Sequence, residues 1–210
     1  MTLLGKNGGL MALTLRCSLL SFLSAVVFAA QVCAASPLQQ EQQQWLLQQM
    51  RLGEAQQRED LIRDSLARLA LIAPDHPQVL VGEIRQALAA PQQEQNSAWI
   101  EQLLSRLRQQ GANSAELRQA LALIKLQSSD GVRQLQQARL LAAAGRFDEA
   151  SAAFEQLFGK EPPDLASALE YWSARSRING QRLTVIGQVQ ALDREYPGNA
   201  SVRSMLVGLL

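Results

Sequence analysis

Residues able to do chemistry are few in this chain, and their spacing suits none of the common reactions. His76 is the single histidine, so no multi-histidine metal site can form around it. It lies between Pro74 and Pro77 and reads as a loop residue. Glu59-Asp60 and Asp148-Glu149 are paired carboxylates of the kind that could share acid–base work. Each pair opens a helical pattern, however, where carboxylates favour the positive end of the helix dipole. Ser173 and Ser176 lack the glycine-flanked turn that exposes a nucleophilic serine. GKNGG at Gly5 to Gly9 lacks the spacing of a phosphate loop. Trp45, Trp99 and Trp172 have faces that stack on sugar rings, but each stands among apolar residues at helical spacing. Core packing is therefore expected of them. The reading is a non-enzymatic protein with no catalytic residue, no metal and no cofactor.

The elements that would carry any site are helical from Pro37 onward, with no convincing strand alternation. Apolar residues recur at helical spacing in Leu38 to Glu54 (Trp45, Leu46, Met50, Gly53) and in Glu59 to Ile72 (Leu61, Ile62, Leu66, Leu69). Further helices are predicted over 78–89, 97–109 and 115–126. Pro77, Pro91 and Gly111 punctuate these segments. Helices are expected again over 132–144, 147–158, 165–177, 182–195 and 200–210.

The sharpest local pattern is Ala138 to Pro162, ARLLAAAGRFDEASAAFEQLFGKEP. Gly145 can take the positive φ that ends a helix. Ala138 and Ala150 are small enough for two helices to approach closely. Phe147 and Phe154 share a face, and Pro162 stops the unit. With Gly131 as the first position, these six residues match the spacing of the tetratricopeptide repeat, a helix–turn–helix unit of about 34 residues. Gln134 departs from it where tryptophan is usual. Gly180 and Pro197, each 35 residues after Gly145 and Pro162, mark a second, weaker copy, with Val185 and Val189 in place of alanine and an aromatic. The predicted fold is thus an all-α solenoid of helical hairpins wound into a right-handed superhelix. The segment 115–126 has no hairpin partner of its own in this count. The expected division is a first arm over 36–112, an unpaired helix and hinge over 113–130, and a second arm over 131–210. Ser128 to Gly131 is the expected hinge, its glycine permitting unusual dihedrals. The resemblance also implies a concave groove lined by the first helix of each hairpin. Carrying the repeat's groove positions over gives Gln44, Arg51, Glu54, Arg139, Ser167, Glu170 and Arg177 as candidate binding residues.

Residues 1–35 read as an export signal. Lys6 and Arg16 precede the apolar core LLSFLSAVVFAA (Leu19 to Ala30), and small residues surround a cut before Ser36. Met11 is an alternative start. Both cysteines, Cys17 and Cys33, fall in this leader, so the mature chain would carry no disulfide. Without Lys6 and Arg16 the chain holds 18 basic and 19 acidic residues, a balance that argues against nucleic acid as a partner. The 26 glutamines from Ser36 onward are read as solvated helix faces, with an uncharged surface for a polysaccharide or peptide as the sharper alternative.

Longer strings are more specific than the repeat. LLQQMRLGEAQQREDLIRDSLARLALI (Leu46 to Ile72), DGVRQLQQARLLAAAGRFDEA (Asp130 to Ala150) and LEYWSARSRI (Leu169 to Ile178) resemble the mature N-terminal region of the bacterial cellulose synthase operon protein C family. The resemblance implies a periplasmic repeat region that binds other subunits of the cellulose synthesis and export machinery, with peptidoglycan or the glucan chain as further candidates. It implies outer-membrane association only through a C-terminal β-barrel, which these 210 residues do not include. The chain therefore looks like the N-terminal piece of such a protein. Two alternatives remain: a repeat adaptor of another envelope or exopolysaccharide secretion system, and a helical accessory region of a cell-wall or glycan-processing enzyme.

Overall fold

A computed structural model describes residues 37–90 and 93–210, of 93–95 the backbone alone. The proposed signal segment lies outside the described residues. The chain divides into two units, 1–41 and 42–210. Only the opening of the first helix belongs to the former, and the helical stack belongs to the latter.

The described residues form ten helices and no strand. They are α1 (Pro37–Gln56), α2 (Glu59–Ile72), α3 (Pro77–Ala89), α4 (Gln93–Gln110), α5 (Ala115–Gln127), α6 (Ser129–Ala143), α7 (Phe147–Phe158), α8 (Leu165–Ser176), α9 (Arg182–Glu195) and α10 (Ala200–Leu209). Short polar side chains set several of their starts. Ser114, Ser128, Asp164 and Asn199 each accept the backbone N–H three residues on, at 3.2, 3.0, 2.7 and 3.0 Å. Each bond satisfies one of the donors that a helix N-terminus leaves free. Gly145 and Gly180 end α6 and precede α9 with φ of 76° and 78°, as their type and spacing predict.

His76 is more than a loop residue: it caps α3, its Nδ1 accepting from the Gln78 N–H at 3.2 Å. Pro77, at the first helical position, is pre-set for that role. Burial lowers the imidazole pKa, and the nearby Glu116 carboxylate only partly opposes this. The unfolded chain therefore takes up the proton first as pH falls below ~6.5. Stability present above that pH is lost as pH drops through the lower, folded value. We expect the wild type to lose more stability between neutral pH and pH ~5 than His76→Asn, which keeps a capping acceptor and cannot titrate. Parallel urea melts of the two proteins across that range check it.

Adjacent helices pack as hairpins, α3 on α4 and α6 on α7. Three apolar clusters result. Leu46, Met50, Leu66, Leu69 and Val79 join α1, α2 and α3. Leu80, Ile84, Leu103 and Leu107 join α3 to α4, and Leu117, Ala120 and Leu123 of α5 complete that cluster. The opposite side of α5, through Ala122 and Leu126, enters the largest cluster, built from α6 to α10. So α5 serves two cores and packs on α3, α4, α6 and α7. Ala138, Ala150 and Phe154 are at most 1% exposed, and Val185 and Val189 occupy the matching places in the next hairpin, fully buried. Ala150→Leu should cost ~1–3 kcal/mol through overpacking at this closest approach, read as a fall of several degrees in melting temperature.

Two expectations are corrected. Trp172 is buried, but Trp45 and Trp99 are 52% and 44% exposed. The helices pack through Leu46 and Met50, and through Leu103, Leu104 and Leu107, which turns the flanking indoles outward. The junction at Ser128 is also tighter than a hinge of four residues. Ser128 alone separates α5 from α6, its N–H bonding the Ile124 and Lys125 carbonyls while its Oγ caps α6. Gly131 is inside the first turn of α6, and its backbone is not in the positive-φ region.

Candidate functional site

The first helices of the last hairpins, α6 and α8, together with α10 line a groove of about 1350 Å³. Each presents a polar row: Arg139 from α6, Glu170 and Ser173 from α8, Ser201 and Ser204 from α10. Arg177 and Arg182 flank the Gly180 turn at its edge. Arg139 donates from Nε and Nη2 to the two Glu170 carboxylate oxygens, both at 2.7 Å. This bidentate pairing further raises the guanidinium pKa. Arg182 donates from Nε to the Leu209 carbonyl at 2.9 Å, which ties the start of α9 to the end of α10. A half-hidden polar triad joins α7 and α8. Tyr171 donates its hydroxyl to Glu155 Oε1 at 2.6 Å, and Arg175 bonds the same oxygen and the Tyr171 oxygen. Burial, then the Glu155 bond, raises the Tyr171 pKa.

A smaller cavity of about 100 Å³ gathers Arg51 and Glu54 with Arg85, Glu195 and Tyr196. Arg85 donates to Glu54 at 2.7 Å. Burial raises the pKa of Glu195 and of Tyr196, and the Glu54 carboxylate adds to both effects. Next to it, Asn199 Nδ2 donates to the Ala55 carbonyl at 2.8 Å, a bond between residues 144 positions apart.

The structure thus assembles Arg139, Glu170 and Arg177 in one groove and Arg51 and Glu54 in another cavity. Gln44 is exposed on α1 and lines neither. Ser167 is 7% exposed in the first turn of α8, so its hydroxyl is not presented to the groove. Of the repeat positions, Phe147 is half-buried beside the groove, and Pro162 and Pro197 stand in the turns. Arg182, Ser201 and Ser204 are groove residues that the repeat positions carried over do not reach, because they lie at the turn and in the final helix.

Glu59-Asp60 and Asp148-Glu149 occupy the first turns of α2 and α7. Asp60 is held by Arg58, and Glu149 by Arg146. Among the described residues no cluster of His, Cys, Asp and Glu is arranged to hold a metal ion. No described helix is long and apolar enough to cross a membrane.

Stacked helical hairpins with a charged groove along their first helices define a tandem-repeat helical protein. No protein-family profile matches the chain. It is 38% identical over 168 residues to cellulose synthase operon protein C of Salmonella typhimurium strain LT2, and equally to that of Escherichia coli strain K12. The corresponding protein of Xanthomonas axonopodis pv. citri is 28% identical over 165 residues. The crystal structure of the flexible tandem repeat domain from the C component of bacterial cellulose synthase superposes with a TM-score of 0.65 at 40% identity, covering 80% of this chain and 68% of that one. The chain belongs to the bacterial cellulose synthase operon protein C family. It matches 80% of its own length to the enteric relatives but spans only 14% of theirs.

Proposed function

We propose that the chain is a non-enzymatic scaffold of cellulose synthesis and export in the periplasm, holding other subunits of that machinery through its concave groove. The carrying observation is the alignment of Arg139, Glu170, Arg177, Ser173, Ser201 and Ser204 along one groove formed by successive helices. A repeat stack presents such a surface without needing a deep pocket. The groove is open and holds one acidic side chain, whereas glycoside hydrolysis uses two carboxylates flanking the bond to be cut. Membership of the cellulose synthase operon family supplies the process.

Photo-crosslinking in cellulose-producing cells tests this reading. A photoreactive residue replacing Ser173 or Ser201 should yield adducts with products of the cellulose synthesis operon. The same residue replacing Arg63, exposed on α2 and outside the groove, should not. No adduct at the groove, or the same adducts from both surfaces, would overturn it.

A further inference from the structure

We infer that the groove between α6, α8 and α10 receives an extended acidic segment of a partner protein, its carboxylates meeting Arg177, Arg182 and, by exchange with Glu170, Arg139. The inference rests on the scaffold reading and specifies the chemistry of that scaffold's partner. Its first support is charge. Three guanidiniums and one carboxylate line the groove, whereas residues 36–210 carry 18 basic and 19 acidic side chains. Positive charge is thus concentrated here against a nearly neutral background, the arrangement that selects an anionic partner.

The second support is how the three arginines are held. Arg177 is exposed and has no ion pair among the described residues. Arg182 is fixed through Nε to the Leu209 carbonyl, which orients its guanidinium while leaving its positive charge unneutralised by a carboxylate. Arg139 already grips a carboxylate in the forked geometry that a partner's Asp or Glu would adopt. That internal pair is solvent-exposed, 54% and 34% for the two side chains. Exposed pairs of this kind contribute little to stability, so an incoming carboxylate can replace Glu170 at little cost.

The lining also separates a peptide from a glucan chain. Sugar rings are held by flat, accessible aromatic faces. Phe154, Tyr171 and Trp172 are 1%, 0% and 9% exposed and are spent on the core, which leaves half-buried Phe147 as the one partly accessible ring in the groove lining. The exposed indoles, Trp45 and Trp99, do not line the groove. What it offers instead is exposed hydroxyls, from Ser173, Ser201 and Ser204, within reach of an extended backbone, and half-buried Leu169 and Met205 for alternate side chains. A neutral glucan would leave the excess positive charge without a role.

Fluorescence anisotropy with the full chain tests the proposal. The probes are a labelled dodecapeptide of repeated Glu-Ser-Gly-Glu, its counterpart with Gln for every Glu, and labelled cellohexaose. The Glu peptide should bind about tenfold or more tightly than the Gln peptide, and weaken as salt screens the charges. Arg177→Glu with Arg182→Glu should reduce its affinity about tenfold or more, while Arg63→Glu leaves it unchanged. Glu170→Gln should tighten binding severalfold, because it removes the internal competitor for Arg139. A merely structural Arg139–Glu170 pair would not give that gain. Equal binding of the two peptides, binding of cellohexaose in their place, or weaker binding by Glu170→Gln would overturn the inference. If groove crosslinks persist while the peptide preference fails, the scaffold stands with a partner of other chemistry. If the crosslinks themselves are absent, the scaffold reading falls first.

Discussion

Gly131→Ala should destabilise the protein strongly, although alanine in place of glycine normally strengthens a helix. Within a helix that exchange gains about 1 kcal/mol. At Gly131 a Cβ would lie 1.7 Å from the Lys125 carbonyl oxygen and 2.7 Å from its carbon. Both are backbone atoms, so no side-chain rotation relieves the clash. Either α6 must move away from the end of α5 or the Ser128 junction must open. Opening it releases the bonds from Ser128 N–H to Ile124 and Lys125, and from Gly131 N–H to Ser128 Oγ. Overpacking alone costs ~1–3 kcal/mol, and more where the backbone has to shift. The matched control is Gly187→Ala in α9, where nothing lies within 4 Å of the added carbon. That variant should gain up to about 1 kcal/mol. Thermal melts of the two should therefore move in opposite directions. A Gly131→Ala protein as stable as wild type would mean that α5 and α6 do not abut as described.

The same junction separates roles that are legible in a sequence from roles that are not. Gly145, Ala138, Ala150 and Phe154 reveal themselves because their roles are local: a positive φ, a small side chain at fixed spacing, an aromatic on the inner face. Helix limits are legible within a few residues for the same reason, since caps and prolines act on neighbouring backbone. Gly131 misleads because its role is not conformational. Its neighbour is a carbonyl six positions earlier, brought close only by the turn at Ser128. The tryptophans mislead for a related cause. Helical periodicity places Trp45 and Trp99 beside buried leucines but does not fix the edge of the packed face, and both fall outside it. At the groove, the repeat positions locate Arg139, Glu170 and Arg177 without revealing that two of them pair, or that Arg182 and the serines of α10 join them. Side-chain partners across separate helices depend on how the hairpins stack, which spacing within one hairpin does not encode.

Asn199 carries the second large expected effect, and it is the residue whose role lies furthest beyond sequence spacing. Only 2% exposed, it uses both ends of its amide. Oδ1 accepts from the Val202 N–H at 3.0 Å and caps α10. Nδ2 donates at 2.8 Å to the carbonyl of Ala55, near the C-terminal end of α1, where helix carbonyls lack intrahelical donors. Asn199→Ala removes both bonds. Loss of the cap costs ~0.5–2 kcal/mol, and a buried carbonyl left without a donor costs ~1–3 kcal/mol. The sum should appear as a clear drop in melting temperature. Asn199→Asp separates the contributions, since the carboxylate still caps α10 but has no hydrogen to give Ala55. Aspartate should therefore recover only part of the loss. Hydrogen exchange localises the remainder: amides in the last turn of α1 should exchange faster in both variants, while those at the start of α10 should be protected in Asp and not in Ala. Full recovery by Asp, in stability and in the exchange of α1, would show that Asn199 acts only as a helix cap and that its bond to Ala55 contributes nothing.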